Sequence, residues 1–146
     1  MSEEAITRQL VVFSLGNEEY ALPIADVHEI IRYTEPRSVA SSVDWVRGVI
    51  SLRGKIVPVY DLASRLHCVR EADVEEQKIV IVEAAAQLAG VVVDDVAEVI
   101  TVDEDQLEGI PSADEPAIDA IVKLDDRLIV LLSPAGLFGI GAEIAV

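Results

Sequence analysis

The stretch 46–66, VRGVISLRGKIVPVYDLASRL, constrains the fold of this chain more than any other. Two runs rich in β-branched residues, Val46–Leu52 and Lys55–Tyr60, flank Arg53-Gly54, a pair suited to the backbone of a tight reversal. A β-hairpin is the reading. Pro58 lies inside the second run and has no N–H to give to a ladder, so that run is expected at a sheet edge or a bulge, not as an ordinary central strand. Asp61 stands where a helix N-cap would, its carboxylate placed to accept from the first amides of a turn 62–66. Arg53 at the hairpin tip is a candidate recognition point, because a guanidinium there can make paired hydrogen bonds to a partner while its stem covers apolar surface.

The same bias runs through the chain. Val and Ile fill 37 of 146 positions while aromatic residues make up 4%, which favours strands over helices. Residues 9–15 and 19–22 read as an opening hairpin around Gly16-Asn17. Pro23 suits the first position of a helix, and Ile24, Val27, Ile30 and Ile31 recur at helical spacing, so a short helix is expected over 24–31. Glu35 precedes a proline, giving an extended segment over 33–39. Trp45 then anchors the entry to the central hairpin.

Residues 69–77 are polar and acidic, a linker between two halves of similar size and a subdomain boundary. KIVIVE (78–83) and LAGVVV (88–93) form the next strand pair, with Gly90 marking a bulge or a close backbone approach. Val96, Val99 and Val102 continue the apolar set, 103–116 is loop by composition, and 118–124 and 128–132 form a last hairpin around Asp125-Asp126. Pro134 opens a final short helix to Phe138. About ten short strands indicate barrels or sandwiches. Each half offers hairpins and one short helix, yet no long periodic repeat is visible.

Composition excludes several functions. Net charge is −16, with nine acids and no Lys or Arg between Asp94 and Glu115, whereas 32–55 holds five basic residues. A phosphate backbone would be repelled, so no nucleic acid is expected as a partner. Such an acidic surface, with only three lysines, serves solubility, as in a salty cytoplasm. Cys68 is the only cysteine, no export signal is read at the N-terminus, and the longest uncharged stretch, 128–142, is too short to span a bilayer. A cytoplasmic protein without membrane insertion is expected.

Catalytic constellations are sparse. His28 and His67 stand alone, His67-Cys68 lacks partners at metal-ligand spacing, and neither a nucleophile elbow nor a phosphate loop occurs. Asp94-Asp95 follows an apolar strand, but neighbours on a strand point to opposite faces and do not converge. Asp103, Asp105 and Gly109 only faintly match a calcium loop. A carboxylate-based hydrolase or cation-binding β-barrel module using Asp94, Asp95 and Asp103 is the alternative to a contact surface, in which Val27, Ile30 and Ile31 are either core or interface.

The order of three motifs resembles the CheW-like family of chemotaxis adaptors over nearly the full length: FSLGNEEYALPIADVHEII, VRGVISLRGKIVPVYDL and GVVVDDVAEVI. The resemblance implies a mainly β fold with short helices, two five-stranded SH3-like β-barrels packed around a shared hydrophobic core. It implies a single domain over 1–146, with two intertwined barrel subdomains and the hairpin 46–60 between them. It implies no catalysis, no cofactor and no metal. The partners implied are the cytoplasmic tips of methyl-accepting chemoreceptors and the regulatory domain of a CheA-type histidine kinase, at membrane-associated receptor arrays. By motif position, Val27, Glu29 and Ile30 on the first helix and Arg53 at the hairpin tip match partner-contacting residues, with the groove between barrels receiving the receptor hairpin. Gly48, matching a glycine of close backbone approach, Gly54, Pro58 and Asp61 form the structural signature. Ser51 replaces a usual asparagine, Ala120 stands where a glycine is usual, and little is expected beyond the second barrel.

Overall fold

The computed structural model describes residues 7–40, 45–67, 76–84, 86–109 and 116–138. Strands β1 (Thr7–Leu15), β2 (Glu18–Pro23), β8 (Asp95–Asp103), β9 (Leu107–Glu108), β10 (Ile118–Leu124) and β11 (Arg127–Leu132) make one sheet, ordered β8-β1-β2-β11-β10-β9. Strands β3 (Val27–Arg32), β4 (Val46–Leu52), β5 (Lys55–Asp61), β6 (Lys78–Ala84) and β7 (Gln87–Val93) make the other, ordered β3-β6-β7-β5-β4. Helices α1 (Leu62–Leu66) and α2 (Pro134–Phe138) each follow the last strand of a hairpin. We call the six-stranded unit the terminal barrel and the five-stranded unit the central barrel. Among the described residues no helix is long and apolar enough to cross a membrane.

Strands β1, β2, β5, β6, β7 and β11 bury residues on both faces because each separates two cores. On β6, Ile79 and Ile81 enter the core of the central barrel with Val57, Val59 and Val92, while Val80 and Val82 face the other way. On β1 and β11, Leu10, Val12, Ile129 and Leu131 fill the terminal barrel, while Phe13, Leu15 and Leu132 face outward. The outward faces meet. Phe13, Tyr20, Leu22 and Leu132 pack against Tyr60, Val80, Val82, Val91 and Val93 in a third core that belongs to neither barrel alone. Strands with both faces covered read as continuous apolar runs, which explains VVF, KIVIV, GVVV and LIVLL.

The two barrels share one plan. In each, an edge strand (β3 or β8) pairs with a hairpin (β6–β7 or β1–β2), whose second strand runs parallel to the last strand of another hairpin (β4–β5 or β10–β11). Register makes the match residue by residue. Val27 and Glu29 lie opposite Val82 and Ile81 across a one-residue bulge, and Val96 and Glu98 lie opposite Phe13 and Val12 across another. The bulge between Val46 and Gly48 recurs between Ile118 and Ala120, and Asp61, whose side chain caps α1, recurs as Ser133, whose Oγ accepts from Gly136 N at 3.2 Å.

Along the chain the plan is hairpin, strand, hairpin, helix, stated twice, over 7–66 and 78–138. Each barrel takes its strand and second hairpin from one half and its first hairpin from the other. The halves have exchanged hairpins. Residues 69–77, mostly outside the described residues, therefore separate two repeats but not two barrels, since β5 before them and β6 after them lie in the same sheet.

Two expectations are corrected, and a third is decided between its alternatives. The helix over 24–31 is a 3-10 turn, Ile24–Asp26, followed by β3, because Val27, Ile30 and Ile31 are β-branched and find a ladder on β6. The bulge at His28 puts Val27 and Ile30 on one face of a strand, imitating helical spacing. Pro58 lies in an internal strand. Val49, its partner on β4, gives both its N–H and its C=O to Arg37, so Val49–Pro58 is a non-bonded pair of that ladder, and on the other side pairing with β7 begins only at Val59. Gly90 lies at no bulge but in a close approach, where a Cβ would come within 2.8 Å of Ile79 Cγ2. The C-terminal expectation falls outside the described residues.

Hairpin exchange leaves each half without a strand pair that closes its barrel. Fragments 1–72 and 73–146 are expected to show little β-structure separately by circular dichroism and to regain it on equimolar mixing. Cooperative unfolding of either fragment alone would contradict this architecture.

Candidate protein-interaction site

The shared core runs out to solvent between two edge strands. On β3, Val27 and Ile30 oppose Val82 and Val80, members of that core, and so share its face. On β8, Val99 opposes Val11, which opposes Leu22, so exposed, buried and buried residues stand side by side on one face. The 3-10 turn 24–26 touches both β1 and β6, the inner neighbours of β8 and β3, so the two edges lie on one side of the molecule. Ile30 is 40% and Val99 52% exposed, at equivalent positions on the two walls, and Ile24 is 38% exposed between them. Both edge strands thus carry an exposed apolar residue on the face of the shared core.

Glu29 lies on the other face of β3, opposite Ile81 at the mouth of the central barrel. There its Oε1 accepts from Arg53 Nη1 at 2.5 Å. The hydrogen bond from Arg53 holds the Glu29 carboxyl below its ordinary value and raises Arg53 in return. Arg53 has φ 52° and Gly54 φ 85°, so the turn is left-handed at both residues. A non-glycine costs about 1–2 kcal/mol in that conformation, yet the side chain is 69% exposed and ends on a carboxylate. The four candidate contact residues therefore divide, Val27 and Ile30 on the face of the shared core, Glu29 and Arg53 at the barrel mouth.

The signature residues build this frame. Gly48, with φ 146°, admits the Arg37 carbonyl where a Cβ would lie 2.1 Å from its oxygen, letting Arg37 and Val49 exchange backbone hydrogen bonds at 2.8 and 2.9 Å. Those bonds tie the segment after β3 to β4. Gly54 completes the turn, with open space around its Cα. Asp61, buried, accepts from Ser64 N at 3.3 Å and pairs with Arg47 at 3.4 Å, while Arg47 also donates to Tyr33 Oη at 2.8 Å.

The carboxylates of the alternative reading are scattered. Asp94 is buried and accepts from Gly16 N at 2.8 Å, bracing the first hairpin turn. Asp95 is 69% exposed beside Lys78. Asp103 caps the 3-10 turn Glu104–Gln106 at the far end of β8, roughly 25 Å from Asp95 along a strand of that length. Among the described residues no three His, Cys, Asp or Glu are grouped to hold a metal ion. Converging acids, which that reading requires, are not found in these three.

Sequence reasoning missed four residues. Val99 was read only as part of an apolar set; its equivalence to Ile30 appears once the halves are superposed by register. Ile56 and Leu128, 69% and 65% exposed, occupy matching positions on the two second hairpins. Ile56 borders a groove of ≈ 250 Å³ with Val57, Pro58, Ala86 and Leu88, where β5 and β7 have not yet begun to pair. Arg127 bridges Glu19 and Glu98. Charge at matching positions is inverted, with Arg37, Arg47 and Arg53 answered by Glu108, Asp119 and Asp125.

Two SH3-like barrels joined by a common apolar layer and tipped by an ion-paired hairpin define a double-barrel module of the scaffold class. The family model for the CheW-like domain matches residues 9–140. The chain is 31% identical over 128 residues to the chemotaxis protein CheW of Bacillus subtilis, covering 85% of this chain and 82% of that one. It is 32% identical over 101 residues to CheW of Klebsiella aerogenes, covering 69% of this chain and 61% of that relative. The crystal structure of the scaffolding protein TtCheW from Thermoanaerobacter tengcongensis superposes with a TM-score of 0.84 at 37% identity, covering 91% of this chain and 93% of that one. The chain belongs to the CheW-like domain family.

Three outcomes follow from this geometry. Gly48→Ala is expected to lower unfolding free energy by about 2–4 kcal/mol, from backbone strain plus loss of the Arg37–Val49 bonds, measured by urea denaturation. Arg53→Ala should change it by less than about 0.5 kcal/mol, and a large loss would make Arg53 structural. Because the folded Glu29 value is depressed, the ion pair holds above the ordinary carboxylate value and is lost as pH falls through the lowered one. A carboxyl NMR titration should show Glu29 moving up in Arg53→Ala.

Proposed function

We propose that this chain is a non-catalytic adaptor that joins the cytoplasmic tips of methyl-accepting chemoreceptors to the regulatory domain of a CheA-type histidine kinase. It works in the cytoplasm, recruited to membrane-associated receptor arrays. The observation that carries this reading is the exposure of Ile30 and Val99 at equivalent positions on the edge strands β3 and β8, which in this reading line a groove between the barrels. Apolar surface continuous with a core suits an amphipathic helical partner, whose apolar stripe would complete the layer. Arg53 stands at the adjoining barrel mouth to meet a partner's carboxylate or carbonyl groups, exchanging for or sharing with Glu29. Val27 supports the groove wall from below.

The kinase side is assigned to the second hairpins, where Ile56 and Leu128 expose one large apolar residue per barrel. A few such residues supply most of the energy of a modest interface. The test is a titration of the protein against the kinase regulatory domain and, separately, a soluble receptor-tip fragment from the same genome. Binding with Kd of about 1 μM or tighter is expected for the kinase domain. Ile30→Glu and Arg53→Ala should weaken receptor coupling alone, and Ile56→Arg and Leu128→Arg kinase binding alone. Absence of binding to both partners at low and high salt would refute the adaptor reading.

A further inference from the structure

Both walls of the groove are edge strands. Among the described residues β3 pairs only with β6, and β8 only with β1, so each is held by one ladder there. In the central barrel β3 is also held by Arg53, reaching from the β4–β5 turn to Glu29. The terminal barrel holds the matching acid, Glu98, more firmly, though with an arginine two positions further along the hairpin. Arg127, the first residue of β11 after the β10–β11 turn, donates Nε and Nη2 to the two carboxylate oxygens of Glu19, both at 3.0 Å, and Nη2 also to Glu98 Oε2 at 2.8 Å. Glu98 is the register equivalent of Glu29, and Val99 follows it as Ile30 follows Glu29.

The reach of this contact is informative. β11 and β8 are three strands apart in the sheet order, which in a flat sheet would separate them by about 14 Å. Arg127 touches both β2 and β8 because the sheet curls, and all three side chains lie on the face of Val12 and Ile129, at the mouth of the barrel. Without the guanidinium, Glu19 and Glu98 would face each other uncompensated at the edge of an acidic chain. β8 would then be held by β1 alone.

We propose that Arg127 is a positioning residue for the groove: by clasping Glu98 to Glu19 it pins the edge strand β8 and presents Val99 to the groove's occupant. The paired acceptor geometry on Glu19 fixes the guanidinium plane, and the remaining Nη2 hydrogen fixes Glu98. Because adjacent strand residues point to opposite faces, fixing Glu98 inward fixes Val99 outward. The binding part of this proposal rests on the groove reading above, whereas the pinning of β8 stands on the clasp alone.

Backbone amide exchange of the full chain, followed by NMR, tests it, alongside titration with the soluble receptor-tip fragment. In Arg127→Ala the β8 amides bonded to β1 should exchange about five-fold faster while those of β3 keep their rates, and affinity for the fragment should fall about five-fold with kinase-domain binding unchanged. Glu98→Gln, which breaks the clasp without leaving two facing charges, should shift β8 in the same direction and serves if Arg127→Ala does not fold. Arg127→Lys should recover part of the effect. Lys123→Ala, which removes the Lys123–Glu108 pair on the same hairpin, should leave β8 unchanged. Unaltered β8 exchange in both clasp variants, or faster exchange with unaltered fragment affinity, overturns the proposal. Failure of the unsubstituted protein to bind the fragment would remove the groove reading, and β8 exchange would still decide the clasp.

Discussion

The apolar layer between the barrels is the constraint on which the rest depends. Phe13, Tyr20 and Leu22 on one side and Tyr60, Val80 and Val91 on the other are all buried, each worth about 1.5–3 kcal/mol on leaving water. Trp45, Tyr60 and Phe138 extend it as a chain of tilted rings with centroids 4.7 and 5.2 Å apart, tying the central hairpin to α2 of the opposite barrel. Burial raises the Tyr60 phenol above its ordinary value, so the stability that Tyr60 contributes is complete below that value and declines as pH rises through the folded one. Because both barrels need this layer, neither can be complete without the other, and exchange of the first hairpins enforces that dependence through the chain itself.

Duplication supplies a symmetric frame, and charge makes its two ends unlike. Bulges, parallel pairings and helix caps recur position by position, whereas Arg37, Arg47 and Arg53 in the central barrel face Glu108, Asp119 and Asp125 in the terminal one. Packing positions are held by volume, surface positions are free to diverge, and here they diverge in sign. The resulting field orients a partner before contact and weakens with salt over a Debye length of about 8–10 Å. Two similar barrels with opposite coats present two electrostatically distinct surfaces on one frame.

The groove lies where sheet order leaves edges. Exposed edge strands invite unwanted pairing, and this fold guards them with bulges at His28 and Ala97 and with acids at Glu29, Glu98 and Asp95. Each guard acid that faces a barrel mouth is also held by an arginine from that barrel's own hairpin turn. Protection of the edge and presentation of the apolar wall are thus done by the same residues.

Much was legible from residues alone. Alternation and β-branching marked nearly every strand, Arg53-Gly54 and Asp125-Asp126 marked turns, and Asp61 marked a cap, because these depend on neighbours within a few positions. The motif order identified the family and its double-barrel fold. Helical spacing over 24–31 misled because a bulge shifts strand parity by one, a fact set by the partner β6 and invisible locally. Pro58 could stand inside a sheet only because Val49 turns its backbone to Arg37. The repeat stayed hidden because its halves keep apolar pattern but few identities, and the exchange of hairpins, the register equivalence of Val99 and Ile30 and the reach of Arg127 to Glu98 relate residues far apart in the chain. Local chemistry set the elements, and only the curl and packing of two sheets decided which of their edges would meet a partner.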